Sequence, residues 1–175
     1  GVDQYGQVLL VQTTALLCSL IVEYGFSLSG ARQVAVCGME DKTVLSRVYN
    51  SVTSAKVLLA FSMIGLSVVL LSLLKLNIEL QVIIWGYLYF LAFSFSNIWL
   101  FQGMEKVTVV IVVELVLRFV GLFALYVLLD APAEAGFALM VMSLFALLNT
   151  LIGLCLAYKV VGCFSIDLRG GVEQI

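Results

Sequence analysis

Four charged side chains fall inside apolar stretches or at their edges, and these are the places where chemistry could reside: Glu23, Lys56, Glu114 and Arg118. Arg118 lies twelve residues beyond Lys106, where an apolar segment begins. At about 1.5 Å per helical residue, that is roughly 18 Å along the axis and close to mid-bilayer. A charge at such depth costs from about 2.5 to more than 10 kcal/mol unless it has a partner, a water-filled cavity or a ligand. Glu114 precedes it by four residues, which sets the two on one helical face in the favourable orientation for an ion pair. Two readings follow. In one, the pair only neutralises itself; in the other, Arg118 faces a polar cavity and binds an anion while Glu114 restrains it or titrates, and both hold only if the span boundaries are placed correctly. The planar guanidinium fork suits phosphate oxygens in bidentate geometry, so a phosphorylated lipid headgroup is a fitting ligand.

Glu23 stands nine residues before Arg32, about 13 Å from that end of a helix if the helix runs so far. This is deeper than snorkelling comfortably allows. Nine residues also turn through about 900°, so Glu23 and Arg32 face opposite sides. Glu23 then needs a partner on another span, or stays protonated as a candidate proton carrier, or packs at a kink beside Tyr24 and Gly25. Lys56 sits near the start of its span, where a long side chain can snorkel to the interface. Asn97 and Gln102 either bridge helices by hydrogen bonds or line the inner mouth of a path beside Arg32, Lys56 and Lys106. The candidate binding residues are therefore Arg118, Arg32, Lys56, Asn97 and Gln102, with Glu23 and Glu114 as coupling or charge-pair residues.

The elements that position them are membrane helices. Hydrophobic residues make up 63% of the 175 and charged residues 11%, with mean hydropathy +1.15, whereas a soluble domain carries about 25% charged residues. The expected architecture is an all-α, polytopic transmembrane bundle forming one domain over 1–175. Its five spans are expected at about 8–31, 51–74, 80–101, 107–129 and 135–158. The polar stretch from Arg32 to Asn50 is expected to be a loop with a short amphipathic start. Trp85, Tyr87, Tyr89 and Trp99 occupy aromatic-belt positions of the third span. The chain begins Gly1-Val2-Asp3 rather than with Met, and the expectation is a fragment missing its true start.

The absences narrow the function. With no His in the chain, metal hydrolases and His-based triads have little support, and neither a catalytic residue nor a cofactor is expected. The four cysteines contain no C-x-x-C, so neither disulfides nor metal sites are expected. A net charge of −2 without a dense basic cluster gives no reason to expect nucleic acid. Basic residues in the short loops set the orientation. One side carries Arg32, Lys42, Arg47, Lys106, Lys159 and Arg169, and the other only Lys75. The first side is expected to be cytoplasmic, with the C-terminus, and the N-terminus periplasmic.

Two runs carry a family resemblance: Glu23-Tyr24-Gly25-Phe26-Ser27-Leu28-Ser29-Gly30-Ala31-Arg32, and Asn97-Ile98-Trp99-Leu100-Phe101-Gln102-Gly103-Met104-Glu105-Lys106. Together they resemble the polysaccharide-transport (O-antigen flippase, Wzx-like) family, of the superfamily that also contains multidrug and toxic-compound extrusion transporters. The first looks like that family's YGF-x-L-S-x-x-R pattern, and the second like its W-x-F-Q-G-x-E-K turn. The resemblance implies the second to sixth helices of a six-helix half, in the bacterial inner membrane. It further implies translocation of undecaprenyl-pyrophosphate-linked oligosaccharide by alternating access, coupled to an H+ or Na+ gradient and working beside polysaccharide assembly proteins. By position, Arg32 and Gln102 fall in family motifs, and Arg118 matches a basic residue of the fifth helix more loosely. The rival readings are a drug/ion antiporter of the same superfamily, a membrane glycosyltransferase or polymerase, and a non-transporting assembly partner. The longest loop lacks both His and D-x-D, which speaks against the enzyme.

Overall fold

A computed structural model describes residues 2–23, 25–37, 42–75, 78–128 and 135–162. Tyr24, Glu40, Asp41, the loop with Asp130, Pro132 and Glu134, and the segment with Cys163, Asp167 and Arg169 lie outside the described residues. The helices are α1 (Val2–Glu23), α2 (Phe26–Cys37), α3 (Lys42–Leu74), α4 (Leu80–Ser94), α5 (Ile98–Gly103), α6 (Val107–Leu128) and α7 (Ala135–Val161). There is no strand among the described residues. Among the described residues, five helical stretches are long and apolar enough to cross a membrane: Gln4–Val36, Lys42–Leu74, Leu80–Gly103, Val107–Val127 and Gly136–Val161. The chain is a polytopic helical membrane protein.

Two of the five stretches are broken. The first divides at Gly25, whose φ of +75° is a left-handed backbone conformation that side chains disfavour. The third divides at Phe95–Asn97, inside the run Ser94-Phe95-Ser96-Asn97, whose Ser and Asn are weaker helix formers than the Leu and Ala before them. The broken stretches lie side by side, α1 on α4 and α2 on α5. α7 packs along α4, and α6 is peripheral, resting on α7 and α5. Much of α6 is exposed apolar surface, Val116, Phe119 and Phe123 included, as a lipid-facing helix requires.

The second span is longer than its hydropathy suggested. The stretch expected to be a loop is helical on both sides of residues 38–41, as the end of α2 and the first nine residues of α3. Polarity misled here. Leu45, Tyr49, Val52 and Lys56 are buried at helical spacing, while Lys42 and Arg47 are exposed. Lys56 therefore lies fourteen residues into α3, about 21 Å along it, rather than near its beginning. Nor does it snorkel, for only 2% of it is exposed. Trp99 leaves the expected aromatic belt in the same way, being 3% exposed and packed in the core.

Candidate functional site: two intramembrane ion pairs

The first pair is assembled by the break between α4 and α5. In an unbroken helix the Ser96 N–H would bond the Ala92 carbonyl, and the Leu100 N–H would bond the Ser96 carbonyl. Instead Ser96 N–H donates to Phe93 O at 3.3 Å and Leu100 N–H to Asn97 O at 3.1 Å. The carbonyls of Ala92 and Ser96 thereby lose their ladder partners. In a bilayer such groups need replacements from within the protein, at several kcal/mol each. Thr150 Oγ1 on α7 donates to Ala92 O at 2.7 Å, and Lys56 Nζ on α3 donates to Ser96 O at 3.2 Å.

Lys56 Nζ makes a second contact, donating to Glu23 Oε1 at 3.2 Å. Glu23 is the last residue of α1, at the other break, and its side chain keeps 31% of its exposure. One ammonium thus joins both interrupted stretches. Of the readings open for Glu23, the structure gives it a partner on another span and sets it beside the kink. Next to this node, Tyr49 OH donates to Asn97 Oδ1 at 3.0 Å, and the Tyr49 ring stacks on Trp99 with centroids 5.7 Å apart. Asn97 is buried and bridges helices. Gly30 closes the arrangement, because a Cβ there would lie 2.7 Å from the Trp99 ring. The two motif runs therefore meet along the packed contact between α2 and α5.

The second pair is local. Arg118 Nη2 donates to Glu114 Oε1 at 2.5 Å, one turn apart at the middle of α6. Its burial is the reverse of the first, since the Arg118 side chain is 62% exposed and that of Glu114 18%. The pair borders a cleft of about 290 Å³ between α4, α6 and α7, which Tyr89, Phe145 and the amide of Asn149 also line. One Nη2–H is engaged by Glu114, which leaves guanidinium donors free at the cleft.

The other expected residues divide. Arg32, Gln102 and Lys106 are exposed on α2, α5 and the turn that follows, while Lys56 and Asn97 are enclosed in packing rather than set at a mouth. Among the described residues there is no His, Cys, Asp and Glu grouping able to hold a metal ion. Tyr49, Thr150, Asn149 and the Ser96 carbonyl were not foreseen. Tyr49 could have been found from the apolar stripe through Leu45 and Val52, whereas a main-chain carbonyl freed by a break leaves no side-chain signal.

Compared with known proteins, the chain is 25% identical over 170 residues to a protein of Shigella dysenteriae named as a putative O-antigen transporter. The match covers 95% of this chain and 42% of that protein. The resemblance to the polysaccharide-transport family stands. The chain spans less than half the length of this relative. No family model matches the chain, and no solved structure matches it.

Proposed function

We propose that this chain forms part of a transporter that moves an undecaprenyl-pyrophosphate-linked oligosaccharide across the bacterial inner membrane by alternating access, without covalent chemistry. The observation that carries the reading is the similarity to an O-antigen transporter along 95% of the chain. The Arg118 cleft supplies the chemistry it needs. Arg118 keeps its charge when partly buried, and a pyrophosphate can take up the donors that Glu114 leaves free. Glu114 holds the guanidinium when no substrate is present, so the cost of an unpaired charge in the apolar region never falls on the empty state. Arg32 and Gln102, exposed at the end that the basic loops assign to the cytoplasm, are where the headgroup first meets the protein.

Complementation of a flippase-null strain by the transporter carrying Arg118→Ala or Arg118→Lys tests this, with surface polysaccharide and membrane level of the protein scored together. The expected result is loss of polysaccharide at normal protein level, with no rescue by Lys, because a point charge cannot reproduce the bidentate fork. Full activity of the Ala variant would sink the assignment and leave Glu114 and Arg118 as a structural pair.

A further inference from the structure

The Lys56 node does not depend on the transport reading, and its composition is specific. Glu23 brings a carboxylate to the end of α1, and Ser96 brings a main-chain carbonyl freed between α4 and α5. Interrupted membrane helices whose ends offer carboxylate and carbonyl oxygens are the usual construction of a monovalent-cation site. Here both oxygens converge at 3.2 Å on a single positive group, which belongs to the protein itself. The position is enclosed, since the ammonium-bearing residue is 2% exposed. More oxygen atoms than the contacts consume lie along the same elements: Ser54 Oγ on α3 and Ser94 Oγ just before the break are buried and have no hydrogen-bond partner among the described residues.

We infer that the Lys56 ammonium is a tethered cation filling a monovalent-cation site built by the two helix breaks, and that removing it leaves a site that takes a free sodium or potassium ion. Lys56 reaches the site from a third element, α3, so it closes both breaks at once. A free ion would do the same at the cost of being recruited from solution. The native protein accordingly holds its two broken stretches together in any salt, and a variant without the ammonium depends on the cation supplied.

The test is thermal unfolding of the 175-residue chain in detergent micelles, in sodium, potassium or choline chloride at one ionic strength. Native protein should melt at the same temperature in all three. Lys56→Met should melt lower in choline and recover by about 5 °C, saturably, as sodium or potassium replaces it. The charge-balanced double variant Glu23→Gln/Lys56→Met should fold and show no such dependence. Equal melting of Lys56→Met in every salt would overturn the inference, as would sodium rescue that survives loss of the Glu23 carboxylate. Failure of both Lys56→Met and Lys56→Gln to fold even in high sodium would also overturn it, because a free ion would then be unable to take the ammonium's place.

Discussion

The two ion pairs solve one problem in opposite ways. Glu114 and Arg118 lie four residues apart on an intact helix, with the guanidinium largely exposed. Glu23 and Lys56 lie 33 residues apart on different helices, Glu23 at the broken end of α1 and Lys56 inside the unbroken α3, with the ammonium sealed from solvent. The first pair is made before any tertiary structure exists and constrains nothing else. The second exists only when three elements are in place. A local pair leaves its Arg free to change partner, which suits a ligand; a distant one makes its Lys a part of the fold. The difference in exposure, not the presence of charge in an apolar stretch, separates a candidate binding group from a structural one.

This comparison can be broken by mutation. The largest effect is expected from Lys56→Ala, which leaves the Glu23 carboxylate and the Ser96 carbonyl without their shared donor. Breaking a buried pair from one side costs about 3–5 kcal/mol, seen as a steep loss of melting temperature and of membrane level. The double variant Glu23→Gln/Lys56→Met should regain a substantial part of that loss; if it does not, the carboxylate is not the principal partner. Next comes Gly103→Ala. A Cβ there would lie 2.5 Å from the Ala31 carbonyl oxygen, which is backbone and cannot swing aside, so roughly 1–3 kcal/mol of overpacking is expected in chemical denaturation. Tyr49→Phe removes the donor to Asn97 Oδ1 and should cost about 1–2 kcal/mol by the same measurement. The charge-balanced double variant Glu114→Gln/Arg118→Gln, which leaves no unpaired charge in the apolar region, should change stability by only about 0.5 kcal/mol, because the pair ties no second element into the fold. A loss as large as that of Lys56→Ala would erase the distinction drawn here.

One further predicted change is a gain. The turn after α5 has the Schellman pattern: Lys106 N–H donates to Phe101 O at 2.9 Å and Glu105 N–H to Gln102 O at 3.2 Å. Its left-handed position, φ +57°, is held by Glu105 rather than by Gly. Glu105→Gly should stabilise the protein by about 1 kcal/mol, measured as a raised melting temperature.

How much of this was legible in the sequence follows from the range of each interaction. The five apolar stretches and the i, i+4 pair are local patterns, and the structure has both. The start of α3 was hidden because hydropathy averages over a window, while burial of Leu45, Tyr49 and Val52 is decided one face at a time. The break after Ser94 lay inside 22 residues without a charge, where composition argues for one continuous helix. The position of Lys56 was misjudged for the same reason as its helix, since an end placed at Ser51 makes a buried lysine look interfacial. Nothing in the spacing of Glu23 and Lys56 announces that they meet.

The break between α4 and α5 also imposes an order of events during synthesis. When Ala92 leaves the ribosome, Lys56 has already emerged, but Thr150, the partner of the Ala92 carbonyl, lies 58 residues further along the chain. At roughly 5–20 residues per second, that interval is about 3–12 s. Through it the Ala92 carbonyl has no hydroxyl to receive it, and an unbroken ladder through Ser96 is the form that satisfies the backbone. The hydrogen bonds of the break are therefore complete only once α7 is in place.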